Sequence, residues 1–292
     1  MNMADAQLTV GAHSEVGCVR DENQDRMSGD LTPVGNLYIV ADGMGGYEGG
    51  ALAAELAVGN LRKIIGSADT ESPVEALLIS AFKNANRAIY EKSYSSGSTI
   101  ERMGSTAVLL LISGQVARVA HVGDSRAYLF RNGLLSRLTI DHTRVQRMVE
   151  SGMLSLEEAE HHPESHILER AIGIYEDVAV DISAEMAIEN GDAFLLCSDG
   201  LSGYVSDDEI ESMLNSNATV QEVPELLTRK ALDKGGHDNI TIQFVQYGER
   251  QSGFVEGANI YLSRKAGKKK NTRKLFLLSL LLGILIFWVF FI

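Results

Sequence analysis

The sequence predicts an α+β fold: a two-sheet β-sandwich flanked by helices, in α-β-β-α layers, followed by a C-terminal transmembrane helix. Three observations carry that expectation. Short β-branched and apolar runs punctuated by glycine outnumber the helical stretches. The long helical stretches fall in two groups, one early and one late, so βαβ alternation is weak and a doubly wound parallel sheet is not expected. The last 18 residues carry no charge.

Taken in order, residues 7–13 and 37–41 read as strands, with the polar cluster Arg20, Asp21, Glu22, Asn23, Gln24 and Asp25 between them. Residues 51–65 show helical periodicity. Ser72-Pro73-Val74-Glu75 spells a capping box with proline at the first helical position, opening a helix that runs to about residue 92. A Gly/Ser-rich loop follows at 93–98, then strands at 106–112, 116–122 and 126–131, with turn signals at Ser113-Gly114 and Asn132-Gly133. Residues 144–165 interrupt the β pattern with short, charged, helical sequence and a second capping box from Ser155 to Glu158, as a flap between strands would. Strands resume at 178–182 and 193–198. Ser206 and Thr219 each cap a further helix, and 240–247 reads as the last strand. The expected organisation is one domain over 1–248, a polar to basic linker over 249–274 and a tail anchor over 275–292.

Composition agrees with one large domain: 292 residues, 45% hydrophobic and 22% charged. The net charge of −13 hides a polarity. From Tyr261 onward there are seven basic residues and no acidic ones, so the first 260 residues carry 19 basic against 39 acidic groups. A body of that sign does not bind nucleic acid electrostatically. Cys18 and Cys197 stand far apart in apolar surroundings without a CxxC pattern, and are expected to be buried free thiols of a reducing compartment. The 18-residue tail at 1.5 Å per residue spans about 27 Å, close to a hydrocarbon core. Its basic flank belongs on the cytoplasmic side, and the N-terminus is too polar for a signal peptide. The expected location is the inner membrane, single-pass, with the domain in the cytoplasm.

The chemistry is carried by four isolated aspartates, each beside glycine or asparagine at the end of an apolar run: Asp42, Asp124, Asp199 and Asp238. A carboxylate at a buried strand end is costly unless it is paired or binds a cation. A fold that gathers such groups suits hard cations, Mg²⁺ or Mn²⁺. Gly43, Gly45 and Gly46 leave the backbone after Asp42 uncovered, so a carbonyl can reach a metal and a substrate can approach.

Eight blocks in order, VRDENQD, ADGMGGYEGG, MGSTA, HVGDSRAYL, LTIDHT, RAIG, LLCSDGL and GGHDNIT, resemble the metal-dependent Ser/Thr protein phosphatases of the 2C type, in their bacterial subtype, over roughly residues 8–245. The resemblance implies a β-sandwich with a two-metal centre at one end, using Mn²⁺ or Mg²⁺ and acting on phosphorylated proteins. It implies that Asp42 bridges both ions, that the Gly43 carbonyl binds one, and that Asp199 and Asp238 complete the other site. Asp124 is similar to an aspartate that helps hold a weaker third ion. Arg20 is implied to bind the substrate phosphate, Asp25 to act behind the ligands and Asn239 to support Asp238. A hydroxide bridging the cations is then expected to attack phosphorus directly. A partner Ser/Thr kinase or its membrane-bound substrates fit the location.

Two positions depart from the pattern. Gln24 stands where the family often has glutamate, and Met44 stands where animal members have a histidine acid. Metal-bound water is therefore expected to protonate the leaving group. Gln24 is the sole support for an alternative, a non-catalytic phosphoprotein-binding regulator of the same fold. His142 is expected to support the flap, His161 and His162 to be solvated, and His121 and His237 to hydrogen-bond the aspartates.

Overall fold

Side-chain alternation along the strands assigns each residue to a layer in this protein, and a computed structural model describes residues 8–46, 49–94, 102–160 and 162–249. In chain order the described elements are β1 (Leu8–Glu15), β2 (Arg26–Thr32), β3 (Gly35–Ala41), β4 (Gly43–Met44), α1 (Gly49–Gly66), α2 (Val74–Ser93), β5 (Gly104–Ser105), β6 (Ala107–Ser113), β7 (Val116–Val122), β8 (Arg126–Arg131), β9 (Leu134–Arg137), α3 (Arg144–Glu150), α4 (Leu156–Glu160), β10 (Asp181–Ile182), β11 (Met186–Ala187), β12 (Ala193–Cys197), α5 (Asp199–Ser202), α6 (Asp207–Leu214), α7 (Glu222–Asp233) and β13 (Ile240–Tyr247).

Two sheets hold most of the strands. One runs β1-β13-β12-β8-β9, and the other runs β10-β7-β6-β3-β2 with β11 also on β7. Every pairing in them is antiparallel, from Leu8 opposite Tyr247 in the first sheet to Met27 opposite Val40 in the second. A third, two-stranded piece pairs β4 with β5.

Three apolar layers follow. Leu37, Ile39 and Ala41 of β3 pack with Ala54, Leu61 and Phe82 of α1 and α2. Tyr38 and Val40, on the opposite face of the same strand, meet Phe194, Leu196 and Val245 between the sheets. Leu195 and Ile242 turn the other way, onto Ile210, Val223 and Leu227 of α6 and α7. Central strands covered on both faces need no polar side, which is why β6 and β12 read as apolar runs; β13 is buried along its whole length although it carries Thr241, Gln243 and Gln246. The layer order is helix, sheet, sheet, helix, as expected.

Several local expectations fail for identifiable reasons. β2 was not expected, because RMSGDLT is polar; it forms as the edge strand beside β3, half-buried. β9, β11 and the β4–β5 pair are too short to carry a pattern. The strand expected over 178–182 is only Asp181–Ile182. The capping box at Ser72 does not form, because Pro73 takes the N-cap position with no side-chain cap bond. The boxes at Ser155 and Ser206 do form. Cys197 is buried but Cys18 is exposed, its N–H donating to the Gly236 carbonyl at 2.7 Å in a surface turn.

The flap holds α3 and α4, and its root is closed by a bridge between Thr143 and Leu168. Among the described residues no helix is long and apolar enough to cross a membrane. The tail at 275–292, like His161 and nearly all of the linker, lies outside the described residues.

Candidate metal centre

Asp42 follows the apolar run of β3, and its backbone is clamped by the MGSTA block. Its N–H donates to Thr106 Oγ1 at 3.0 Å, while its carbonyl accepts from Thr106 N–H at 2.8 Å and Ser105 Oγ at 2.9 Å. Gly43 pairs with Ser105, and a Cβ there would stand 1.9 Å from the Gly50 carbonyl oxygen, so only glycine fits. Gln24 packs on the same spot: a Cβ on Gly50 would meet its Oε1 at 2.3 Å.

Asp199 comes from the neighbouring end of β12 and Asp238 from the turn before β13, strands paired through Cys197 and Ile242. Ser198 Oγ donates to Asp25 Oδ2 at 2.8 Å and accepts from Thr241 N–H at 3.0 Å, tying Asp25 to both strands. Asn239 is a hub. Its Oδ1 accepts from Gln24 N–H at 2.8 Å, and its Nδ2 donates to the carbonyls of Val16 at 2.9 Å and Glu22 at 3.0 Å. Its side chain therefore fixes the loop that carries Arg20 and Asp25, and its own N–H holds Asp238 Oδ1 at 2.8 Å. Arg20, half exposed, donates from Nη2 to Asp238 Oδ2 at 2.7 Å.

Asp124 sits in the turn between β7 and β8. Gly123 before it adopts φ +105°, and a Cβ there would lie 2.6 Å from the Thr106 side chain. Ser125 Oγ shares a hydrogen bond of 2.7 Å with Thr106 Oγ1, so the turns of Asp124 and Asp42 meet at one threonine. The fold thus brings Asp25, Asp42, Asp124, Asp199 and Asp238 to one end of the sandwich. Ser105, Thr106 and Ser198 were missed by the sequence reading. The serine and threonine following a glycine in MGSTA were the available signal, since short hydroxyl side chains bond nearby backbone.

The electrostatics describe a site that wants cations. Burial raises Asp42 well above the carboxylate range, and Asp25, Asp199, Asp124 and Asp238 add to it. Asp124 is raised by burial and then by Asp199, and Asp199 by burial and then by Asp238. Asp25 is pushed up to about 7, chiefly by burial, against the hydroxyl bonds that lower it. Asp25 Oδ1 and Asp199 Oδ1 are buried without a hydrogen-bond partner among the described residues. Orphaned oxygens in a crowd of like charge are the donor set a hard divalent cation satisfies. The residues present fit Mg²⁺ or Mn²⁺.

The histidines do something else. His121 donates from Nε2 to the Ile140 carbonyl at 2.8 Å, and its ring stacks on His142 at 4.6 Å between centroids. His237 is exposed and stacks on Tyr204 at 5.8 Å, and half-buried His162 accepts from Glu164 N–H at 3.1 Å. Ligand atoms of His121, His142 and Asp181 lie within 4.8 Å of one another, the spacing of a metal site. Arg170 already neutralises Asp181 there and stands 3.1 Å from His142 Nε2, so a fixed guanidinium fills the cation's role.

The family model described as Protein phosphatase 2C matches residues 18–235. The serine/threonine phosphatase stp of Listeria monocytogenes serotype 4b is 36% identical over 244 residues, 81% of this chain and 95% of that protein. The solved serine/threonine phosphatase of S. agalactiae superposes with a TM-score of 0.77 at 32% identity, covering 83% of this chain and 100% of that one. The catalytic domain of the serine/threonine phosphatase PstP, solved with two manganese ions, superposes at 0.72 with 33% identity, covering 83% and 99%.

Proposed function

The chain belongs to the protein phosphatase 2C family, and we propose that it is a membrane-anchored, Mn²⁺- or Mg²⁺-dependent phosphatase of phosphoserine and phosphothreonine in proteins. The observation that carries the reading is the buried carboxylate cluster with its orphaned oxygens, beside a half-exposed arginine. Asp42, Asp199, Asp238 and the Gly43 carbonyl would hold two ions, and Asp124 would help hold a weaker third. Bound ions would supply an activated water nucleophile and charge stabilisation on the phosphoryl group.

The remaining work falls to the chain's own residues. Arg20 spends Nη2 on Asp238, which leaves the rest of its planar fork for phosphate oxygens. Asn239 holds Arg20's loop in place, so the fork is aimed before substrate arrives. Asp25 lies behind the ligands, held by Ser198; burial disfavours its charge in the ion-free site, and bound cations would favour its carboxylate form. Met44 has no proton to give, so the leaving serine or threonine takes its proton from solvent in the site.

The location rests on the 18 uncharged residues at 275–292 and the seven basic residues before them. We assign the chain to the cytoplasmic face of the inner membrane, with phosphorylated membrane-bound proteins, a Ser/Thr kinase or its targets, as substrates.

The test uses the full chain in detergent with a phosphothreonine peptide. Hydrolysis should require Mn²⁺ or Mg²⁺ and stop on chelation. Mn²⁺ should also raise the unfolding temperature, by about 2.7 kcal/mol of stabilisation at a hundredfold excess over Kd. Asp42→Asn should lose both the activity and the thermal shift. Hydrolysis that ignores chelators would overturn the metal reading, and a wild-type protein inert with every divalent ion would return the non-catalytic regulator.

A further inference from the structure

Three consecutive residues before the flap, Ile140, Asp141 and His142, grip the end of β7, the start of β8 and the turn between them that carries Asp124. The Ile140 carbonyl accepts from His121 Nε2 at 2.8 Å. Asp141 takes Arg126 in a fork, with Nη2 to Oδ2 at 2.7 Å and Nε to Oδ1 at 3.1 Å. His142 holds Gly123 twice: its Nδ1 accepts from Gly123 N–H at 3.0 Å, and its own N–H donates to the Gly123 carbonyl at 3.0 Å. Asp124 is the residue in the middle of that strap.

We infer that His142 is the positioning residue of Asp124, its imidazole fixing the Gly123 peptide and so the direction in which the carboxylate faces the weaker metal site. The inference rests on Asp124 being a ligand there, as proposed above. Gly123 stands at φ +105°, with no side chain to lock it, so the peptide needs an outside partner to hold one orientation. His142 is itself immobilised. It is buried at 8% exposure, stacked on His121, and its Nε2 faces Asp181 Oδ2 at 3.3 Å. Because Nδ1 must accept from a backbone N–H, the ring is the neutral tautomer with its proton on Nε2. The surroundings hold that state: burial first, then His121 and Arg170, lower His142 to about 4.

The groups around the ring explain why this is a brace and not a ligand. Both nitrogens are committed, one to Gly123 and the other to Asp181, with Arg170 beside it. What His142 can change is the geometry of Asp124, the residue that follows the Gly123 it holds, and partners behind a ligand tune metal affinity by about 10- to 100-fold.

The experiment compares His142→Asn with His142→Gln in the full chain in detergent. Asparagine places an amide oxygen near the Nδ1 position, whereas the glutamine amide reaches the Nε2 position. Free Mn²⁺ is titrated by electron paramagnetic resonance, the Mn²⁺ dependence of peptide hydrolysis is measured in parallel, and circular dichroism checks the fold. Glutamine should weaken the weakest Mn²⁺ step by about tenfold or more and leave the tighter steps as they are. The Mn²⁺ concentration for half-maximal activity should rise by the same factor, with kcat recovering at saturating Mn²⁺. Asparagine should keep the weak step close to wild type. Equal behaviour of the two variants, or a loss spread over every Mn²⁺ step, overturns the positioning role. Asp124→Ala separates the two readings. If it leaves the weak step intact, Asp124 is not the ligand and the inference falls with that assignment. If it removes the weak step while glutamine at 142 does not, the inference alone fails.

Discussion

Arg20 and Asp238 share a contact of 2.7 Å although each is drawn toward another task, one to phosphate and one to a cation. The pair is partly solvated, with side-chain exposures of 52% and 30%, so its own contribution to stability is small. Its use is orientation. Arg20→Ala should lower kcat/KM for a phosphopeptide by about 10- to 100-fold, the scale of a hydrogen bond to a charged group. Arg20→Lys should fall between, because an ammonium cannot form the planar fork. Steady-state kinetics check it, and an unchanged alanine variant removes Arg20 from the phosphate site. His142 makes a separate prediction. Its folded pKa is about 4 against an ordinary 6.5, so the unfolded chain binds the proton more readily between those values. The stability tied to neutral His142 is intact above pH 6.5 and is lost as pH falls toward 4. Asp25, Asp42, Asp124 and Asp199, all raised by burial, act in the opposite direction as pH falls. The check is therefore the difference between wild type and His142→Asn in urea unfolding at stepped pH, which should shrink as pH falls from 6.5 toward 4.

At the scale of elements, the centre is made where separate connections converge: the loop between β1 and β2, the end of β3, the turn between β7 and β8, and the ends of β12 and β13. Asn239 joins the first of these to the last through three side-chain hydrogen bonds. Asn239→Ala should destabilise the domain by about 1–3 kcal/mol, because the backbone N–H of Gln24 and two carbonyls lose their partner. It should also reduce activity beyond what the stability loss explains, since Arg20 and Asp25 ride on the freed loop. Denaturant midpoints and kinetics on the same preparation check both halves. The apolar strands and long helices were legible because burial on both faces or on one stripe leaves a pattern in the residues. β2 was not, because edge pairing with β3 recruits a polar segment that has no pattern of its own.

Over the whole molecule, charge is divided between an acidic body and a basic C-terminal stretch of seven lysines and arginines. Each of those residues near an anionic leaflet contributes about 1 kcal/mol of attraction, while the body is repelled. Deleting residues 275–292 should move the protein to the soluble fraction with its phosphopeptide activity kept. Turnover of a membrane-bound phosphoprotein should slow, because the proposed anchor would raise local concentration. Fractionation with both assays checks it. Truncated protein that stays in the membrane pellet, or that loses peptide activity, refutes the anchor.

The layer order, the family resemblance and the carboxylates at strand ends were all present in the residues alone. Asp42, Asp199 and Asp238 stand out because a charge beside an apolar run has few structural reasons to be there. What the chain order could not say is which groups hold those carboxylates in place. Thr106 joining the Asp42 and Asp124 turns, Ser198 holding Asp25 across 173 residues of sequence, and Asn239 reaching back to Glu22 across 217 are contacts between distant segments. Small hydroxyls and amides leave no periodic trace, and their partners are set only when the two sheets pack. The same holds for His142, whose sequence block predicts support of the flap, and whose grip on Gly123 exists only once the segment at 140–142 lies across the turn of Asp124.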